Sequence, residues 1–151
     1  MRILFVCLGN ICRSPIAEGV MRNYIREHQL DWEVASAGTE SYHIGEAPHK
    51  YSRKICLSNG VDISMQRARR FQMSDLRQFD KVYAMSGDVY DIILSNAGSS
   101  DKIDNLDLFL NELKPGLNES VPDPWYGDER GYVPVYEMIA ATCQVIIEKY
   151  K

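Results

Sequence analysis

Cys7-Leu8-Gly9-Asn10-Ile11-Cys12-Arg13-Ser14 is the stretch on which the reading of this chain turns. The apolar run Ile3-Leu4-Phe5-Val6 leads into it, and Pro15 with a helical pattern leads out, so it reads as strand, tight loop and helix N-terminus. A helix N-terminus offers unpaired N–H groups and the positive end of the helix dipole. Successive loop amides running into one form a cradle for an anion. Here the amides run from Leu8 through Ile11 and Cys12, between the thiol of Cys7 and the guanidinium of Arg13. That pairing suits covalent chemistry on phosphate. The reactive form of cysteine is the thiolate, which helix N-termini and neighbouring cations favour. Arg13 supplies planar two-point recognition of phosphate oxygens, and Ser14 a hydroxyl donor for the sulfur. Gly9 gives the backbone freedom. Asn10 suits a left-handed conformation and can brace the loop through its side chain. A cysteine at a strand end is often only buried packing; Arg13, Ser14 and the helix start together argue against that here.

The rest of the chain follows an alternating pattern. Residues 2–6 read as a strand buried on both faces. Pro15 suits the first helical position, and the helix runs to about His28. A second strand is expected at Trp32–Ser36, then a polar loop carrying Tyr42 and His43, and a helix from near Pro48 to Asn59-Gly60. Ser74-Asp75 caps a short helix. Lys81–Met85 is the third strand, followed by a helix ending by Gly98. A short fourth strand is expected at residues 102–105, with helical turns over Leu106–Leu113. Lys114–Arg130 is a long loop, and Tyr132 to Ile146 marks a last helix. The alternation implies one three-layer α/β domain over residues 1–151. Its core is a four-stranded parallel sheet with helices on both faces. Ligands in such sheets bind beyond the carboxyl ends of the strands, which is where the loop after the first strand sits.

Composition narrows the function. The 151 residues suffice for one core, and the net charge of −4 offers no basic excess for nucleic acid. No apolar run is long enough to span a membrane, and the N-terminal run breaks too early for a signal peptide. Cys7, Cys12, Cys56 and Cys143 form no CxxC pair and no metal-ligand spacing with the three histidines, so no metal is expected and a reducing cytoplasm is. Cys56 and Cys143 read as core. His43 and His49 read as solvated, and Arg67–Arg70 as a basic face.

A second constellation lies at Val121-Pro122-Asp123-Pro124-Trp125-Tyr126. Two prolines stiffen Asp123. A carboxylic acid held beside aromatic rings can serve as a proton donor, although an ordinary Pro-Asp-Pro turn has the same letters.

Taken together, Cys7 to Pro15, Ser36-Ala37-Gly38-Thr39 and Asp123-Pro124 resemble the signature segments of the low-molecular-weight protein tyrosine phosphatases. The resemblance extends in order and spacing along nearly the whole chain. It implies a compact α/β fold and a metal-free, cofactor-free cysteinyl-phosphate mechanism. By position it makes Cys7 the nucleophile, Arg13 the phosphate and transition-state binder, and Asp123 the general acid. Asn10, Ser14 and Ser36 become loop supports, and Tyr42, Trp125 and Tyr126 walls of the substrate crevice. The implied partner is a phosphotyrosine protein or another aryl phosphomonoester, with inorganic phosphate as product and the chain a monomer. The resemblance also suggests a reversible disulfide between oxidised Cys7 and Cys12. Three departures stand out: Tyr42 where the family often has Trp, Trp125 where it has Tyr, and Ser86 where it commonly has Asp. A thioredoxin-coupled arsenate reductase would need further cysteines between Asp80 and Asn96, and none is there. A phosphoryl carrier should need neither Arg13 nor Asp123, and a binding-only relative would lack the triad that is present.

Overall fold

The computed structural model describes all residues from Met1 to Lys151. Its strands are β1 (Arg2–Cys7), β2 (Glu33–Gly38), β3 (Lys81–Ala84) and β4 (Leu106–Leu108). Its helices are α1 (Arg13–Glu27), α2 (Lys50–Ser58), α3 (Asp75–Gln78), α4 (Gly87–Asn96) and α5 (Tyr132–Tyr150). The strands form one parallel sheet in the order β2-β1-β3-β4. No helix is long and apolar enough to cross a membrane.

The period-two geometry of a strand divides the sheet's residues between two cores. Ile3, Phe5 and Tyr83 pack under α1 and α5 against Ile16, Val20, Ile139, Cys143 and Ile146. Leu4, Val6, Val82 and Ala84 face the other way, onto Leu76, Val89 and Ile93 of α3 and α4. Burial on both faces is why β1 reads as an unbroken apolar run. The far end of α5 is tied down by Glu112, which accepts from Tyr83 Oη at 2.6 Å and from Lys149 Nζ at 3.0 Å.

The boundaries of β2, β4 and α1 differ from the sequence reading: β2 runs Glu33–Gly38, past the expected end at Ser36. The fourth strand is Leu106–Leu108, not residues 102–105, and a 3₁₀ turn at Phe109–Glu112 replaces the expected helical turns. Residues 102–105 carry one apolar side chain, too few to face a core. Helix α1 begins at Arg13, so Pro15 is its third residue. A proline is tolerated anywhere in the first turn, because no N–H there has an intrahelical acceptor.

Gly19 lets α1 approach its neighbours closely. A Cβ there would lie 2.3 Å from Ile63 Cγ2 and 3.0 Å from Val61 Cγ1, both side chains buried. Alanine at a helix interior gains about 0.8–1.0 kcal/mol over glycine, but overpacking a core costs about 1–3 kcal/mol. Gly19→Ala should therefore destabilise the protein on balance, read as a lower midpoint in urea unfolding. A raised midpoint would mean that the α1 contact yields freely.

Candidate active site

The loop between β1 and α1 is built around one unusual backbone conformation. Asn10 sits at φ 58°, the left-handed region that few side chains other than glycine and asparagine enter readily. All of its side-chain polarity is used to hold it there. Nδ2 donates to Ser14 Oγ at 2.8 Å and to Ser36 Oγ at 2.9 Å, while Oδ1 accepts the Arg69 N–H at 3.0 Å. Ser36 in turn donates to Glu18 Oε1 at 2.7 Å, and Arg22 donates to Glu18 Oε2 at 2.8 Å.

This chain has a direction. Glu18 is an acceptor, so Ser36 must donate to it and receive from Asn10. Ser14 Oγ also receives from Asn10, which leaves its own proton for Cys7 Sγ, 2.9 Å away. The Asn10 N–H points at the same sulfur at 3.3 Å. Two donors thus converge on one sulfur. From outside the loop, His49 N–H donates to Ile11 O at 2.7 Å and Ser52 Oγ to Cys12 O at 3.3 Å. The N–H groups of Leu8, Gly9, Ile11 and Cys12 have no acceptor within the protein. They are the donors that a cradle needs.

Arg13 is 4% exposed. One nitrogen donates to Val121 O at 3.1 Å and the other lies 3.6 Å from Asp123 Oδ2. Val121 N–H is itself bonded to Met85 O, just past β3, at 2.8 Å. The loop that carries Asp123 is thereby docked on the carboxyl end of the sheet. Asp123 Oδ1 caps the 3₁₀ turn Pro124–Tyr126 by accepting the Trp125 N–H at 3.0 Å. The carboxylate is partly open to solvent, next to the only guanidinium in the cleft.

The cleft has a volume of about 220 Å³ and is lined by Cys7, Leu8, Gly9, Ile11, Cys12 and Arg13, with Asp123, Tyr42, Trp125 and Tyr126 around them. Tyr42 and Tyr126 are 80% and 82% exposed, so they form a rim and not a buried slot. Trp125 is held between two imidazoles, with centroids 5.7 Å from His43 and 5.2 Å from His49. Burial, with Lys50 and Arg53 nearby, holds His49 below the ordinary imidazole pKa.

The structure brings together every site residue expected from sequence, and adds four that were missed. His43, expected to be solvated, lines the cleft and bonds Glu46 at 2.7 Å. Glu40 lines it too. Glu18 and Arg22 anchor the network, and the spacing held the clue: Glu18 is four residues after Ser14, so it lies on the same helix face. The basic cluster is also divided, since Arg69 pairs with buried Asp75 at 3.1 Å. Ser86, in the position of the family's Asp, is buried and bonds Asp88. Cys12 is buried with Sγ 3.5 Å from Tyr132 Oη, and burial pushes its thiol up to about 12. No three His, Cys, Asp or Glu side chains gather as a metal-binding group.

Gly38 ends β2 directly beneath the loop. A Cβ there would lie 2.8 Å from Leu8 O and 2.9 Å from Asn10 N, both backbone atoms that cannot swing aside. Gly38→Ala should lower kcat at least about tenfold and weaken phosphate inhibition, since misplacing reacting groups by even 1 Å is costly. The helical circular dichroism should be retained. Wild-type kinetics in this variant would show that the loop tolerates displacement.

The family model described as low molecular weight phosphotyrosine protein phosphatase matches residues 2–151. A protein of that name from Gallus gallus is 32% identical over 150 residues, covering 97% of this chain and 94% of the relative. A crystal structure of a protein tyrosine phosphatase from Entamoeba histolytica, with Hepes in its active site, is 36% identical with a TM-score of 0.90, covering 99% of this chain and 96% of that one. A Drosophila arginine phosphatase superposes with a TM-score of 0.92 at 26% identity, covering 100% and 98%. With a match over almost its full length, and a loop, acid and sheet arranged as described, the chain belongs to the low-molecular-weight protein-tyrosine-phosphatases, a family of hydrolases.

Proposed function

We propose that the protein hydrolyses phosphotyrosine through a cysteinyl-phosphate intermediate, with Cys7 as nucleophile, Arg13 as phosphate binder and Asp123 as general acid and base. One observation carries this reading: a thiol with two donors on it and a buried guanidinium from one loop, and a carboxylate from a segment distant in sequence, line one small cleft. Cys7 sulfur attacks phosphorus as the bond to the aryl oxygen breaks. Asp123 gives its proton to that oxygen, and the phenol leaves. Water then attacks phosphorus, its proton goes to Asp123, the S–P bond breaks and inorganic phosphate departs. Arg13 and the amides of Leu8, Gly9, Ile11 and Cys12 hold the equatorial oxygens, so charge developing on them meets donors already in place. The exposed rings of Tyr42, Trp125 and Tyr126 suit a flat aryl group presented on another protein's surface. The rest of the expectation stands with this proposal: one catalytic domain over residues 1–151, acting as a monomer in the cytoplasm.

Removal of the nucleophile tests the chemistry. Cys7→Ser should abolish turnover yet still bind phosphate or vanadate, and Arg13→Lys should be severely damaging, because an ammonium cannot make the planar contact. Asp123→Asn should slow phosphotyrosine hydrolysis by about 10²–10⁴, and an activated nitrophenyl ester much less, since nitrophenolate needs little protonation to leave. Asp128 is the local competitor, but it is exposed and engaged by Arg130 at 2.8 Å. Single-turnover rates across leaving groups decide. A steeper dependence in Asp128→Asn alone would move the acid role. A phosphoarginine peptide belongs in the same panel, because the name of the Drosophila protein raises that substrate.

Cys12 is proposed as the thiol that rescues an oxidised nucleophile. Peroxide converts Cys7 to a sulfenic acid, and condensation with the Cys12 thiol releases water and forms a disulfide. Burial keeps the Cys12 thiol protonated in the resting enzyme, so it does not compete with Cys7 as a nucleophile. After peroxide treatment, dithiothreitol should restore the wild type but not Cys12→Ser, in which mass spectrometry should find Cys7 over-oxidised. Equal recovery would reduce Cys12 to packing.

A further inference from the structure

A second cleft, of about 390 Å³, lies beside the catalytic one. Adjacent residues of one segment, Thr39 and Glu40, separate the two. Thr39 N–H bonds Cys7 O at 3.0 Å and Glu40 N–H bonds Leu8 O at 2.8 Å, so residues 39 and 40 are sewn to the start of the catalytic loop. Thr39 lines the second cleft and Glu40 the catalytic cleft. Phe71, Met73 and Ile92 of α4 supply apolar lining to the second cleft. Arg70 is the only charged residue in the lining. Unlike Arg69, it makes no ion pair, and its guanidinium donates no hydrogen bond. Its backbone is held in a bridge to Gly38, which fixes where the side chain starts. Thr39 Oγ1 is shut off from solvent without a hydrogen-bond partner, an uncommon state for a buried polar group.

We propose that this cleft is a substrate-docking subsite, in which Arg70 pairs with an acidic side chain of the polypeptide flanking the phosphotyrosine while the apolar walls take that residue's neighbour. The occupant follows from position and charge. A peptide whose phosphotyrosine sits in the catalytic cleft continues across the ridge of residues 39 and 40. On the ridge it meets Glu40, which disfavours an acid there, and beyond it the unpaired Arg70, which favours one. Selectivity thus depends on where along the peptide the acid lies, a property that a free small effector would not have. The subsite rests on the reading of the protein as a phosphotyrosine hydrolase.

The test is a set of phosphotyrosine peptides with an otherwise neutral sequence and a single Glu moved from three residues before the phosphotyrosine to three after it. In the wild type one position should lower KM by about threefold to tenfold, the range open to a partly exposed ion pair. Arg70→Ala should abolish that preference and Arg70→Glu should reverse it. In both variants kcat and the hydrolysis of nitrophenyl phosphate should stay at wild-type values. Arg67→Ala, which removes a nearby exposed charge outside the cleft, should keep the preference. Position-independent KM values in the wild type, or a preference that survives Arg70→Ala, overturn the subsite while leaving phosphotyrosine hydrolysis intact. Normal turnover of nitrophenyl phosphate with no turnover of any phosphotyrosine peptide overturns both.

Discussion

The left-handed turn at Asn10 is the constraint on which the site depends. Only there does the chain reverse tightly enough for the amides on either side of it to serve one anion. A non-glycine residue in that conformation needs compensation, and three side-chain hydrogen bonds from one amide supply it. The compensation reaches beyond the loop. Asn10 ties to Ser36 on β2, to Arg69 in the basic cluster and, through Ser36, to Glu18 on α1. Three segments distant in sequence thus fix one dihedral angle, and fixing it sets the hydrogen-bond direction that ends with a hydroxyl proton on Cys7.

Glu18 sits at the closed end of this chain and gives it polarity. A carboxylate can only accept, so every hydroxyl and amide between it and the sulfur is forced into one orientation. Arg22 pairs with it from the next turn of α1 and offsets the cost of holding the charge in a nearly buried place. Local charge therefore stays balanced at that end, while at the sulfur end donors are in excess.

Much of this was legible because physics constrains sequence most tightly where structure is buried. A strand covered on both faces must be apolar throughout, and β1 announces itself. An anion loop needs a glycine or asparagine turn followed by a helix, and the stretch 7–14 has that form. Elements with weak demands on sequence were misplaced. Strand β4 has three residues, and its Leu106 and Leu108 are followed at once by Phe109 and Leu110, so period two and period three or four cannot be told apart. His43 and Glu40 were missed for a different reason. They lie on a polar loop whose course is set by long-range bonds, such as Gly45 N–H to Ala68 O, and local pattern carries no trace of those. Glu18 could have been found, as a lone acid on the helix face it shares with Ser14.

The three departures from the family pattern sit at different depths, and depth decides what each can change. Ser86 is buried and bonded to Asp88, at the start of α4. The neighbouring Gly87 N–H is bonded to Ser120 on the segment that leads to Asp123. A hydroxyl in place of a carboxylate there removes a charge without leaving a buried group unsatisfied, so its effect falls on how firmly the acid loop is seated. Trp125 and Tyr42 are on the rim, where no catalytic bond depends on them. Trp125 is buttressed by two imidazoles, which makes it a stiff wall, and Tyr42 projects into solvent. On the proposed mechanism, bond making and breaking rest with groups locked to the sheet and α1, and the choice of what enters with rings that could change without disturbing that lock. The same separation fits a protein that shares its backbone course with two structural relatives at 36% and 26% identity and still presents a cleft mouth of its own.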